Sequence, residues 1–118
     1  MNEALTLVGK TGERYYEAEL YRLKGTLTLQ SEVPGLKSEV EEGAEKCFHQ
    51  AIEIAQRQSA KSLELRATMS LARLWQRQGK KAEAHEMLAA IYGWFTEGFD
   101  TKDLQEAKAL LEELARGV

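Results

Sequence analysis

Arg66, Arg73 and Arg77 stand at offsets of 0, 7 and 11, with Met69 and Ser70 between them. A helix of 3.6 residues per turn carries those three guanidinium groups on one face. Arginine grips a carboxylate through two parallel hydrogen bonds, so the chemistry such a face offers is recognition of an acidic peptide. Arg22 is the corresponding residue on an earlier segment. A charged face that is simply solvated accounts for the same residues, and spacing does not separate the two readings. Nucleic acid is not expected as a partner, because the net charge of −3 opposes non-specific binding to a polyanion.

The remaining chemistry-bearing residues lack the companions that catalysis requires. Gly9-Lys10-Thr11 reads like the end of a phosphate loop, but that loop needs a glycine five residues earlier, where Ala4 stands. A helix-ending turn is expected there instead. His85-Glu86 opens like a zinc-protease helix, yet the second histidine would fall at Ala89. Cys47 is the only cysteine, so no disulfide framework exists, and a thiol nucleophile would need a base beside it. Glu39, Glu41, Glu42 and Glu45 crowd the start of one helix, where the helix dipole favours negative charge. No catalytic residue, metal or cofactor is expected.

The elements that would position these residues are helices. One proline in 118 residues favours long uninterrupted helices, and 43% apolar residues argue against disorder. The length suits one domain able to bury a core. No apolar run approaches a membrane span, Met1-Asn2-Glu3 does not open a signal peptide, and the cytosol is the expected compartment.

Residues 2–9 read as the end of a helix stopped around Gly9 and Gly12. Residues 13–30 form the next, and Tyr16, Leu20, Leu23 and Leu27 make one apolar stripe, the pattern of a helix with one side buried. Pro34-Gly35 marks a loop over 31–38. Ser38 and Glu41 form a capping box that starts a helix running to about Gln58, with Ala44, Phe48, Ala51, Ile52 and Ala55 inward. A helix over 61–78 carries Leu65, Thr68, Leu71, Ala72 and Trp75 and stops at Gly79 in the C′ position. Another begins at Lys81 and runs to about Phe95. Asp100 or Thr101 then caps a last helix over 101–115, with Leu104, Ala107, Leu111 and Leu114 as its stripe. No sheet is expected.

A spacing of 40 residues organises these helices. Ala4, Ala44 and Ala84 each open the same pattern, continued by Val8, Phe48 and Leu88 and then by Thr11, Ala51 and Ile91. Such a period means stacked helix pairs. With Gly79 at an inter-helix turn, Leu71, Ala72, Trp75, Ala84, Leu88 and Ile91 fall into the register of a tetratricopeptide repeat, and the chain resembles that family over about 13–95. Units over 13–58 and 61–95 follow, with Gly25 in the first helix and about seven extra residues in the loop of the upstream unit.

The stretches GERYYEAELYRLKG (12–25), SLELRATMSLARLWQRQGK (62–80) and YGWFTEGFDTKDLQEAKALLEEL (92–114) also resemble the C-terminal end of large bacterial proteins. Those proteins join a cyclase-like or other regulatory domain, an AAA-type ATPase and a tetratricopeptide tail. The resemblance implies a non-catalytic scaffold that holds a partner segment in a concave groove lined by Arg22, Arg66, Met69, Ser70, Arg73 and Arg77. The second class it implies is a regulatory, ligand-sensing tail. Two surfaces remain open. Leu5, Leu7 and Val8 belong to half a repeat with no preceding helix, so either this segment folds back on the next helix or two chains pair through it, and a homodimer is expected. Ile91, Tyr92, Trp94, Phe95 and Phe99 either seal the last helix or form a contact patch.

Overall fold

The computed structural model describes residues 9–30, 35, 37–96 and 101–116. Among these residues the regular structure is five helices: α1 (Gly9–Gln30), α2 (Lys37–Arg57), α3 (Lys61–Arg77), α4 (Lys81–Tyr92) and α5 (Lys102–Arg116). No strand occurs among the described residues. Each helix packs on the next, and α1 also approaches α3, as α3 approaches α5. No such approach joins α2 to α4. The odd helices therefore form the inner layer of a curved stack of helix pairs, and the even helices the outer one. The expected all-α, helix-pair architecture is the observed one, with α5 packed on α3 and α4.

The equivalence of Ala44 and Ala84 holds in space. Both are fully buried, and the residues four and seven positions on are buried with them: Phe48 and Ala51 in α2, Leu88 and Ile91 in α4. Ala4 lies outside the described residues. Small side chains at a helix crossing let the backbones approach closely, and the larger residue one turn later fills the space beside it. In the upstream pair the close approach falls at Gly25. A Cβ built there would stand 2.6 Å from Cε1 of Phe48, whose ring is itself 1% exposed.

Three apolar clusters join the layers. Leu65, Met69 and Ala72 of α3 meet Ala84, Leu88 and Ile91 of α4 and Leu104, Ala107, Leu110 and Leu114 of α5. Leu71 and Leu74 pack on Ala44 and Phe48 of α2. Ala18 of α1 reaches Ile54, Ala55 and Leu63. Leu110, not Leu111, completes the buried row of α5, and Leu111 is half-buried beside it.

The helix ends show where local rules prevailed. Gly79 takes φ +83°. Lys80 N–H donates to the Trp75 carbonyl at 2.8 Å and Gly79 N–H to that of Gln76 at 3.2 Å, the paired bonds of a Schellman cap. The same pair of bonds ends α2, from Ala60 N–H to the Ala55 carbonyl and from Ser59 N–H to that of Gln56. There the left-handed position is held by Ser59 at φ 56°. Thr101 caps α5, its Oγ1 accepting from Leu104 N–H at 3.4 Å.

Four expectations need correction. The helix does not stop at Gly9 and Gly12, nor is Gly9-Lys10-Thr11 a turn. All of these residues lie within α1, because a lone glycine costs a helix only about 1 kcal/mol. Residues 2–8 lie outside the described set. Ser38 does not precede its helix: α2 starts at Lys37, and Glu41 turns its carboxylate to the end of α3. The extra residues of the upstream unit are not all loop. Seven residues of α2 precede Ala44, whereas three of α4 precede Ala84, so four of the extra seven form an added helical turn. Finally, α4 ends at Tyr92, and Gly93-Trp94 turn out of it.

Gly25→Ala should destabilise the protein. Overpacking costs about 1–3 kcal/mol, against the roughly 1 kcal/mol that alanine returns in helix propensity. In a Phe48→Leu background the ring is gone, so the same change should become neutral or stabilising. Urea denaturation of the four proteins reads the reversal of sign. Ser59→Gly should raise stability by about 1 kcal/mol, by relieving the left-handed backbone of a residue bearing Cβ.

Candidate functional site

The three arginines of α3 do share a stripe, each about half-exposed, but different neighbours flank it along its length. At the first turns Arg66 lies between α1 and α5. Its Nε donates to Oδ2 of Asp103 at 2.9 Å and its Nη1 to Oε2 of Glu19 at 3.4 Å. Midway, Arg73 Nη2 is 4.0 Å from Oε2 of Glu106. At the C-terminal end Arg77 Nη2 is 3.7 Å from Oε2 of Glu41, just after the added turn of α2, and Gln78 Nε2 donates to the other oxygen of that carboxylate at 3.2 Å. Arg22 is held by its own helix, through a two-pronged pair with Glu19 at 2.9 and 3.1 Å.

Each of the four arginines of the expected groove thus already faces a carboxylate. Arg66 is the most committed and Arg73 the least. Ser70 is half-buried on the same face. Met69 is not a groove residue: it is 3% exposed and packs between α4 and α5. The offset of three residues from Arg66 turns it about 60° away from the stripe, enough to carry it into the core.

Electrostatics follow from this pairing. The Arg22 hydrogen bond, reinforced by the charges of Arg22 and Arg66, holds the Glu19 carboxyl below the ordinary glutamate range against the opposing effect of burial. The Asp103 hydrogen bond, with lesser help from Glu19, raises Arg66 further. The chain Arg22–Glu19–Arg66–Asp103 laces α1, α3 and α5 along the inner layer. Its chemistry is mechanical: it contains no nucleophile, and a carboxylate held ionised by two guanidiniums is a poor proton acceptor.

A second feature lies on the far side of α1. Leu20 is 58% exposed, Leu23 44% and Leu27 64%. The stripe read from their spacing is real, but it points outward. The buried side of α1 is formed by Ala18 and Gly25, with Tyr21 and Leu29 half-buried beside them. Small residues face the neighbours because α1 packs close to α2, and the leucines are left opposite.

The aromatic segment divides. Ile91 is buried, Tyr92 and Phe95 pack against the cluster of α3, α4 and α5, and Trp94 is 57% exposed. Lys61 Nζ stands 5.5 Å from the Trp94 ring centroid. Phe99 lies outside the described residues, as do Leu5, Leu7 and Val8. Trp94 and Phe95, with Leu65 and Leu104, line an open cleft of about 420 Å³ whose polar wall includes Ser62 and Asp103. Among the described residues no group of three or more His, Cys, Asp or Glu could hold a metal ion, and no helix is long and apolar enough to cross a membrane.

Glu19→Gln should remove an acid-sensitive part of the stability. A depressed native pKa stabilises the fold fully above the ordinary glutamate range, and that contribution is lost as pH falls through the lowered native value. The variant should be less stable near neutrality by at most about 1 kcal/mol, since the pair is partly solvated. The two proteins should converge in strong acid. Urea midpoints across the acid range test this, and a constant gap would count against the pair.

Comparison with known proteins finds no match for the chain among family models, curated proteins or solved structures. Its geometry therefore carries the functional reading.

Proposed function

We propose that this chain is a non-catalytic protein-interaction module of tetratricopeptide type from the bacterial cytosol. The observation that carries the reading is the outward leucine stripe of α1. Leu20 and Leu23 expose large apolar side chains on a helix whose other side docks through Ala18 and Gly25, and apolar patches of this kind mark contact surfaces. The groove of α3 supports it in a secondary way. A peptide carboxylate can exchange for Glu106 at Arg73, where the existing pair is longest, whereas Arg66 would have to surrender two partners. An acidic segment would therefore engage Arg73 before Arg66.

The regulatory-tail reading draws on a different observation, the cleft beside Trp94. Its volume falls within the range of small-molecule sites. Native mass spectrometry of protein purified from its own cytosol would favour that reading if a small molecule of constant mass came with it.

A photo-crosslinking residue at Leu23 tests the interaction module. It should give discrete protein adducts in native cytosol that the same residue at Glu53, exposed on the polar face of α2, does not give. Equal labelling from both positions would overturn the assignment of the α1 stripe.

A further inference from the structure

Leu20 lies at the middle of the exposed face of α1, and its flanks are not neutral. Glu17 is three residues before it and Lys24 four after, both exposed. They stand seven residues apart, two helical turns, so both line the same flank of the leucine stripe. Neither forms an ion pair among the described residues, although most other charged groups near α1 are paired: Glu19 with Arg22 and Arg66, Arg57 with Glu53. Next to an apolar stripe, an acid and a base at this spacing are complementary to the same stripe turned end for end.

The arrangement of the two charges discriminates between directions of pairing. When two identical helices pack in parallel about a two-fold axis, each flank meets the opposite flank. When they pack antiparallel, each flank meets itself. Glu17 and Lys24 share one flank, so only the antiparallel arrangement sets acid against base. With the two-fold axis beside Leu20, Glu17 of each copy faces Lys24 of the other, twice. Leu20 then meets Leu20 across the axis, and Leu23 falls in the next turn.

We infer that the occupant of the α1 stripe is a second copy of this chain, docked antiparallel through Leu20 and Leu23 and registered by reciprocal Glu17–Lys24 pairs. The inference rests on the interaction-module reading and names its partner. The contact differs from the one expected at Leu5, Leu7 and Val8: it uses the middle of α1, where the outward leucines coincide with Glu17 and Lys24.

Charge reversal tests register and direction together, with the full chain and sedimentation velocity as the readout. Wild-type protein should dimerise at micromolar concentrations. Glu17→Lys sets lysine against lysine twice, Lys24→Glu sets acid against acid twice, and each should weaken the dimer about tenfold. The double variant Glu17→Lys/Lys24→Glu restores opposite charges and should return to near wild-type affinity. Mixing the two single variants should give a heterodimer tighter than either homodimer. Leu20→Lys should give a monomer with unchanged helicity, because its site is exposed.

A wild-type monomer at all concentrations would overturn the second-copy inference, as would a dimer whose single reversals are harmless or whose double reversal is not rescued. The Leu23 crosslinker separates the two levels. Adducts of twice the chain mass support the inference. Stripe-specific adducts to other proteins alone refute it and leave the interaction module standing, and no stripe-specific adduct refutes both.

Discussion

Among the described helices α3 is the one that touches all the others, and the rest of the fold is arranged around the demands this makes on it. Packed by α1, α2, α4 and α5, it buries apolar side chains around most of its circumference: Leu63 towards α1 and α2, Leu71 and Leu74 towards α2, and Leu65, Met69 and Ala72 towards α4 and α5. Only the narrow arginine stripe is left to water. That stripe keeps the helix oriented, since a rotation in either direction would bury a guanidinium without its carboxylate, at a cost far above any packing gain. The buried Glu64 near its start is handled in the same way, by Lys61 at 3.3 Å and Gln56 at 3.1 Å.

Much of this organisation is written locally. The 40-residue spacing located Ala44 and Ala84, and Gly79 announced a Schellman cap, because a close crossing and a left-handed backbone each restrict residue type severely. The outward face of α1 was not legible in the same way. Periodicity says that Leu20, Leu23 and Leu27 share a side but is silent on which side meets a neighbour. The deciding residues were Ala18 and Gly25, which carry almost no hydrophobicity and mark the docked face through what they lack. The end of α2 was hidden for a similar reason: Ser59 holds a position that usually declares itself as glycine.

The candidate groove shows a second limit. That Arg66, Arg73 and Arg77 align follows from helix geometry alone. That Glu19, Asp103, Glu106 and Glu41 meet them does not, since those carboxylates come from three other helices and 33 to 47 residues away in sequence. A row of basic residues in one helix therefore describes half of an electrostatic surface. Met69 illustrates the coarser error of assigning a residue to a face because its neighbours in sequence belong there, when a 60° turn is enough to move it from surface to core.

The outer surfaces of α1 and α5 are unlike. α1 turns leucines outward, whereas the outer side of α5 exposes Gln105, Lys108, Glu112 and Arg116. A helical stack with adhesive surface at both ends would add molecules head to tail without limit and grow into filaments. If the α1 stripe takes up a second copy, the hydrated, mixed-charge surface of α5 offers no matching apolar patch for a further one.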